Sequence, residues 1–299
     1  MTTSPTAAPR APRAAGEAIV DWYAGAARDL PWRRPGVDAW AVLVSEVMLQ
    51  QTPVARVEPV WREWMDRWPS PADLAAVAPA DVIRAWGKLG YPRRALRLRE
   101  AAVAVVERHG GVVPDDVAAL EALPGVGTYT ARAVACFGYG QPQPVVDTNV
   151  RRVVARLLHG RAEAGNARAT DLTDIASLTP LDPARATRFS VAAMELGALV
   201  CVARTPRCGG CPVRDRCVWR LAGSPAHDGP ARRVQKFAGT DRQVRGRLLD
   251  VLRAASEPVD AAALEPAWDD AAQRGRCLDS LLTDGLVEQT ADGLFTLPT

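Results

Sequence analysis

Four cysteines, Cys201, Cys208, Cys211 and Cys217, follow one another in the pattern C-x6-C-x2-C-x5-C within 17 residues. Four thiolates this close in sequence can surround one metal centre, and any fold that contains them must wrap the loop around that centre. Disulfides are the rival use of such cysteines, but they persist mainly in oxidising compartments. Residues 1–15 are rich in Ala, Pro, Thr and Arg and hold no apolar core of the kind a secretory signal needs. The loop therefore reads as a metal site. Ligand type leaves zinc and iron–sulfur both open, because four thiolates suit either. The uneven spacing is unlike the paired C-x2-C knuckles of most zinc ribbons and leans towards a cluster. Cys136 and Cys277 lie outside the pattern and read as ordinary buried cysteines.

A chain of 299 residues suffices for one large domain or two ordinary ones. Its 48% hydrophobic and 24% charged residues are those of a soluble globular protein. The apolar runs are too short to span a membrane, so an intracellular, cytoplasmic location is expected. The net charge of +3 argues only weakly for a polyanionic partner. Its distribution argues better: Arg84, Lys88, Arg93, Arg94, Arg97 and Arg99 form a run with no acid among them. Such a run is either a solvated helix face or the footprint that phosphates need.

Residues 1–16 read as a disordered tail. From Glu17 to about Ala222 apolar residues recur at three- and four-residue intervals with Pro or Gly between segments, a helical pattern throughout. Residues 223–240, rich in Pro, Gly and charge, read as a linker. Beyond it, Arg242–Ala254 and Ala271–Leu282 suit helices, and Leu286–Glu288 with Leu294–Leu297 flank an Ala-Asp-Gly turn that suits a hairpin. Residues 241–299 are therefore expected to form a small winged-helix-like module, only marginally stable alone.

Three further segments carry chemistry. Leu123-Pro124-Gly125-Val126-Gly127 separates two helical stretches, Asp116–Ala122 and Thr128–Phe137. Gly125 and Gly127 permit a sharp turn and close approach, and amides at the start of the second helix suit an anion such as phosphate. A tight helix–helix turn would use the same glycines. Glu46 lies in the helical stretch Trp40–Gln51, where a 100° projection puts it off the apolar face of Leu43, Val44, Val47 and Met48. On its own it reads as a solvated helix carboxylate. Asp147, in Val145-Val146-Asp147-Thr148-Asn149-Val150, sits directly before an Arg-rich helix, where an Asp or Asn is most simply an N-cap.

Taken together, SEVMLQQT, LGY, LPGVG-x-YTA, VVDTNV-x-RV and the cysteine loop, in this order, resemble the iron–sulfur branch of the helix–hairpin–helix DNA glycosylases. The resemblance covers roughly Leu30 to Val218 and is to the MutY-type adenine family rather than to endonuclease III. It implies an all-α, two-lobed fold with DNA between the lobes. Residues 40–150 would form a six-helix barrel lobe, and residues 17–39 with 151–222 a lobe holding a [4Fe-4S] cluster on the four cysteines. Endonuclease III has an attacking lysine where this chain has Tyr129. The only lysines here are Lys88 and Lys236, and a phenol cannot form an imine.

The resemblance implies a monofunctional enzyme that excises adenine from duplex DNA at A:8-oxoguanine or A:G mispairs, acting as a monomer in the nucleoid with no membrane partner. In it Glu46 protonates the flipped adenine at N7, Asp147 stabilises the oxocarbenium-like sugar, and Tyr129 and Asn149 orient both. Gln50 and Gln51 would enter the vacated stack, Tyr91 would wedge into the duplex, Gly125 and Gly127 would hold a phosphate, and Arg33 would edge the adenine pocket. The loop arginines Arg204, Arg207, Arg214, Arg216 and Arg220 would face DNA phosphates. Two departures stand out. Pro92 replaces a second aromatic after Tyr91, and residues 241–299 are too few for the nucleotide-hydrolase-like domain that many members use to recognise 8-oxoguanine. Arg274 and Arg276 are this module's candidate DNA contacts. An endonuclease III-like glycosylase/lyase for oxidised pyrimidines and a non-catalytic iron–sulfur DNA-binding protein are the alternatives.

Overall fold

The computed structural model describes residues 10–227, 229 and 237–299. Among these residues the chain is helical, with one short pair of strands near the C-terminus, as the periodicity requires. The helices are α1 (Arg10–Ala26), α2 (Ala39–Leu49), α3 (Val54–Arg67), α4 (Pro71–Ala75), α5 (Pro79–Trp86), α6 (Arg93–His109) and α7 (Val117–Glu121). They continue as α8 (Thr128–Tyr139), α9 (Thr148–Leu157), α10 (Thr170–Leu178), α11 (Pro183–Leu199), α12 (Val218–Leu221), α13 (Asp241–Ala254) and α14 (Ala271–Thr283). Strands β1 (Glu288–Gln289) and β2 (Phe295–Thr296) pair antiparallel, with Gln289 opposite Phe295. No described helix is long and apolar enough to cross a membrane.

Two compact units result: residues 1–39 with 128–230, and residues 40–127 with 231–299. This division differs from the expected one in two ways. The segment carrying α8 and Asp147 belongs with the cysteine loop, and the C-terminal module belongs with the barrel helices. Of the tail expected over residues 1–16, residues 10–16 belong to α1, with Ala15 buried, and residues 1–9 lie outside the described residues. The expected linker, residues 223–240, falls partly outside the described residues.

In the first unit Val150, Val153, Val154 and Leu157 make one face of α9 and pack with Ile19, Phe189 and Leu196. Asp147 caps α9 and Asp182 caps α11, with Pro183 at the first helical position. Gly197 lets α11 press on α9, since a Cβ there would lie 2.7 Å from the Asn149 Cβ.

In the second unit the core is aromatic. Trp64 meets Trp68 and Trp86 edge-on, with ring centroids 4.8 and 5.6 Å away. Two of these indole N–H groups donate to carbonyls, Trp64 to Ala85 and Trp86 to Gly90. The module is no independent appendage, because Ile83 of α5 completes its core of Leu248, Leu249, Leu252, Leu281 and Phe295. Arg253 donates to the Ile83 carbonyl at 3.2 Å, Arg93 pairs with Asp284 at 3.1 Å, and Lys88 with Asp250 at 3.7 Å.

Candidate active site and nucleic-acid interface

The start of α9 joins three of the residues singled out by sequence. The Asp147 Oδ1 accepts the Val150 amide at 2.7 Å, and its Oδ2 accepts the Asn149 side-chain amide at 2.8 Å. Arg152 then donates to the Asn149 Oδ1, the Gly197 carbonyl and the Cys201 carbonyl, each at 2.7 Å. A continuous polar chain thus runs from Asp147 to the backbone of the first cysteine of the loop. Burial pushes the Asp147 carboxyl above its ordinary value; the hydrogen bonds from Val150 and Asn149 and the charge of Arg152 oppose the rise without cancelling it. Tyr129, on α8, packs with Ala133, Cys136 and Val145, two residues before Asp147.

One turn further along α9, Arg156 is 3% exposed and pins the cysteine loop. It donates to the Val202 and Ala203 carbonyls at 2.8 Å and to the Cys201 Sγ at 3.4 Å, with its guanidinium 4.9 Å from the Trp219 ring. Burial first, and the neighbouring Cys201, Cys217 and Cys208 after it, together raise the Cys211 thiol to about 11, so the four thiols share one locality. Bound metal relieves that cost by taking thiolates as ligands. Four thiols in one locality are a ligand set that suits an iron–sulfur cluster. Arg204, Arg207, Arg214, Arg216 and Arg220 around it are all exposed.

Glu46 overturns its solvated reading. It is 6% exposed, inside a helix whose residues from Ala39 to Met48 are all buried. No solvated face exists on α2 for the projection to find. The loop after α2 is held by Arg94, whose guanidinium donates to the carbonyls of Val47 at 2.8 Å, Met48 at 3.1 Å and Gln50 at 2.6 Å. It also donates to the Thr52 hydroxyl and the Gly90 carbonyl, both at 3.0 Å. Arg94 thereby ties the end of the Glu46 helix and the Gln50–Gln51 turn to the loop presenting Tyr91. Burial lowers its pKa to about 10. Gln51 (φ +56°) and Tyr91 (φ +49°) both adopt the left-handed conformation that ordinary residues avoid, and both are exposed.

The hairpin glycines differ from each other. Gly125 has φ +74°, and a Cβ on it would lie 2.7 Å from the Arg97 Cβ. Gly127 borders open space and has no such conformational need. Pro124, Gly125 and Val126 line a pocket of about 290 Å³ with Val47, Gln50 and Arg94. Arg33, expected at a base pocket, pairs with the fully buried Glu195 at 2.9 Å, which Arg28 also binds at 2.7 Å. The module's Arg274 and Arg276 are likewise engaged, Arg274 with the Trp268 carbonyl and Glu265 and Arg276 with Asp241. Sequence reasoning missed Arg94, Arg152, Arg156 and Glu195 as organising residues. Such arginines carry no periodic signal, because many of their acceptors lie far along the chain.

Two family models match. One, described as "HhH-GPD superfamily base excision DNA repair protein", covers residues 44–177, and "Iron-sulfur binding domain of endonuclease III" covers residues 201–217. Fold and site thus define a helix–hairpin–helix base-excision repair protein with an iron–sulfur loop of the [4Fe-4S] type. Adenine DNA glycosylases of Mycobacterium tuberculosis (strain ATCC 25618 / H37Rv) and Mycolicibacterium smegmatis are 61% and 62% identical over 94% and 93% of this chain and 92% and 94% of their own. The chain belongs to the family of adenine DNA glycosylases. A thermostable thymine-DNA glycosylase of known structure is similar at TM-score 0.65 and 25% identity, over 71% of this chain and 98% of that one.

Proposed function

We propose that the chain hydrolyses the N-glycosidic bond of adenine mispaired with 8-oxoguanine or guanine in duplex DNA and leaves an abasic site. The burial of Glu46, 6% exposed on a helix buried from Ala39 to Met48, carries this reading. A carboxyl taken out of water on a buried helix is what a general acid near neutral pH requires. Glu46 donates its proton to N7 of the flipped base, so that adenine departs as a neutral leaving group. Asp147, held by the Val150 and Asn149 hydrogen bonds, faces the developing positive charge on the sugar as a carboxylate. Water completes the hydrolysis. Tyr129 stands where a lyase would need an amine, so the strand remains intact.

Supporting roles follow from the same reading. Gln50, Gln51 and Tyr91 enter the duplex at the mispair, Gly125 and Gly127 bind a backbone phosphate, and Arg33 reaches the pocket edge from its pair with Glu195. The four cysteines hold a cluster that fixes the loop displaying arginines to DNA, and Arg152 and Arg156 anchor that loop to α9. Residues 241–299 form a winged-helix-like module. The protein acts as a monomer within the nucleoid. Strand scission of end-labelled duplexes containing A:8-oxoguanine, A:G, A:T or thymine glycol:A, with and without hot alkali, tests this. Alkali-dependent cutting of the adenine strand is expected, and alkali-independent cutting at thymine glycol would place the chain in the lyase branch.

A further inference from the structure

The C-terminal module carries six arginines, and five are engaged. Arg245 binds Asp284 and Ser280, Arg247 lies 5.1 Å from the Trp268 ring and near the Ala267 carbonyl, and Arg253 binds Ile83 and Asp250. Arg274 and Arg276 are held as described above. Arg242 differs. Among the described residues its guanidinium has no oxygen acceptor, and it rests instead on two aromatic faces, 4.7 Å from the Tyr91 ring and 5.6 Å from the Phe237 ring. Tyr91 is 40% and Phe237 55% exposed, and Arg242 is itself exposed.

The half-buried Arg94 also lies against the Tyr91 ring, its guanidinium 5.5 Å from the centroid. A Cβ built on Gly90 would lie 3.9 Å from the Arg242 Nη2, so the cation sits over the whole Gly90–Tyr91 turn. Docking of the module also engages two cations of the basic run, because Asp250 pairs with Lys88 and Asp284 with Arg93. The module thus withdraws two positive charges from this face and presents one that is uncommitted. Stacking fixes the direction of a guanidinium while leaving its N–H edge open, an arrangement suited to phosphate oxygens.

We propose that Arg242 is a DNA-phosphate contact, presented by the C-terminal module on the face of Tyr91, beside the point where that ring meets the duplex. This rests on the reading of the chain as a DNA glycosylase with Tyr91 at the mispair. It gives residues 241–299 a direct part in holding DNA, through a residue other than Arg274 or Arg276.

The test is equilibrium binding of the full-length holoprotein over a salt series. The probe is a duplex pairing 8-oxoguanine with 2′-fluoro-2′-deoxyadenosine, whose fluorine disfavours positive charge on the sugar and keeps the bond intact. Arg242→Met retains the apolar stem against the rings and removes the charge. The expected result is weaker binding to every duplex alike and a salt slope reduced by about one, at an unchanged melting temperature. Arg242→Lys, which keeps the charge, should recover most of the slope. A Met variant with wild-type affinity and slope overturns the assignment, as does a stably folded Lys variant that behaves like Met. A wild type that binds no DNA overturns the glycosylase reading beneath it.

Discussion

The two glycines of the hairpin should respond oppositely to the same substitution. Gly125→Ala forces a Cβ onto a backbone at φ +74° and to within 2.7 Å of the Arg97 Cβ on α6. The left-handed conformation costs an alanine about 1 kcal/mol. Overpacking against a helix adds roughly 1–3 kcal/mol. The total of about 2–4 kcal/mol should lower the melting temperature by roughly 4–16 °C for a protein of this size. Gly127→Ala meets nothing within 4 Å, so stability should stay within about 0.5 kcal/mol of wild type. Its methyl group would instead stand where a phosphate approaches the amides. Losing one charge-assisted hydrogen bond, about 1.5–3 kcal/mol, weakens DNA binding roughly 10- to 150-fold. Thermal unfolding and DNA titration on both variants separate the two effects. A Gly127→Ala variant with wild-type DNA affinity would refute the phosphate role of the hairpin, and an unshifted melting temperature in Gly125→Ala would refute the steric reasoning.

Three other perturbations have defined outcomes. Arg94→Lys cannot reproduce a planar fork serving five oxygens on the α2 terminus and the Tyr91 loop; it should cost about 2–4 kcal/mol and slow excision, and unchanged unfolding and turnover would show the hub to be dispensable. Under the proposed mechanism Asp147 acts as a carboxylate, and because burial raises its pKa, activity should fall on the acid side of that raised value. Asn149→Ala removes a bond that lowers the pKa, so the acid limb of the single-turnover profile should move to higher pH; a limb that stays or moves down contradicts this. Arg28 and Arg33 overcome the effect of burial and hold the Glu195 carboxyl at about 2, below its usual 4.5. Its stabilisation, about 3 kcal/mol, is complete above the unfolded pKa and is lost as pH falls towards 2. Glu195→Gln should be less stable at neutral pH and lose less on acidification, and urea unfolding at a series of pH values would expose a slope equal to wild type as the failing result.

The parts of this protein that were legible in sequence are those specified by local spacing. The cysteine loop, the hairpin glycines and the Asp147 cap each declare themselves within a few residues, because chelation, turning and capping are short-range demands. Glu46 was placed but misjudged, since a helical projection assumes one wet face and α2 has none. The basic run from Arg84 to Arg99 was ambiguous between solvent and phosphate, and much of it does neither. Arg94 binds backbone carbonyls, while Lys88 and Arg93 bind acids near residues 250 and 284. Those partners are too distant in sequence for charge counting to find. The docking of the C-terminal module was hidden for the same reason, as Ile83 looks like any apolar residue of α5.

The central claim is that adenine leaves because buried Glu46 gives it a proton. Single-turnover excision from an A:8-oxoguanine duplex, comparing wild type with Glu46→Gln, tests it most directly. The amide fills the same space and cannot act as an acid, so the rate should fall by about 10²- to 10⁴-fold while duplex affinity holds. A Glu46→Gln enzyme that excises adenine within a few-fold of the wild-type rate would contradict the account.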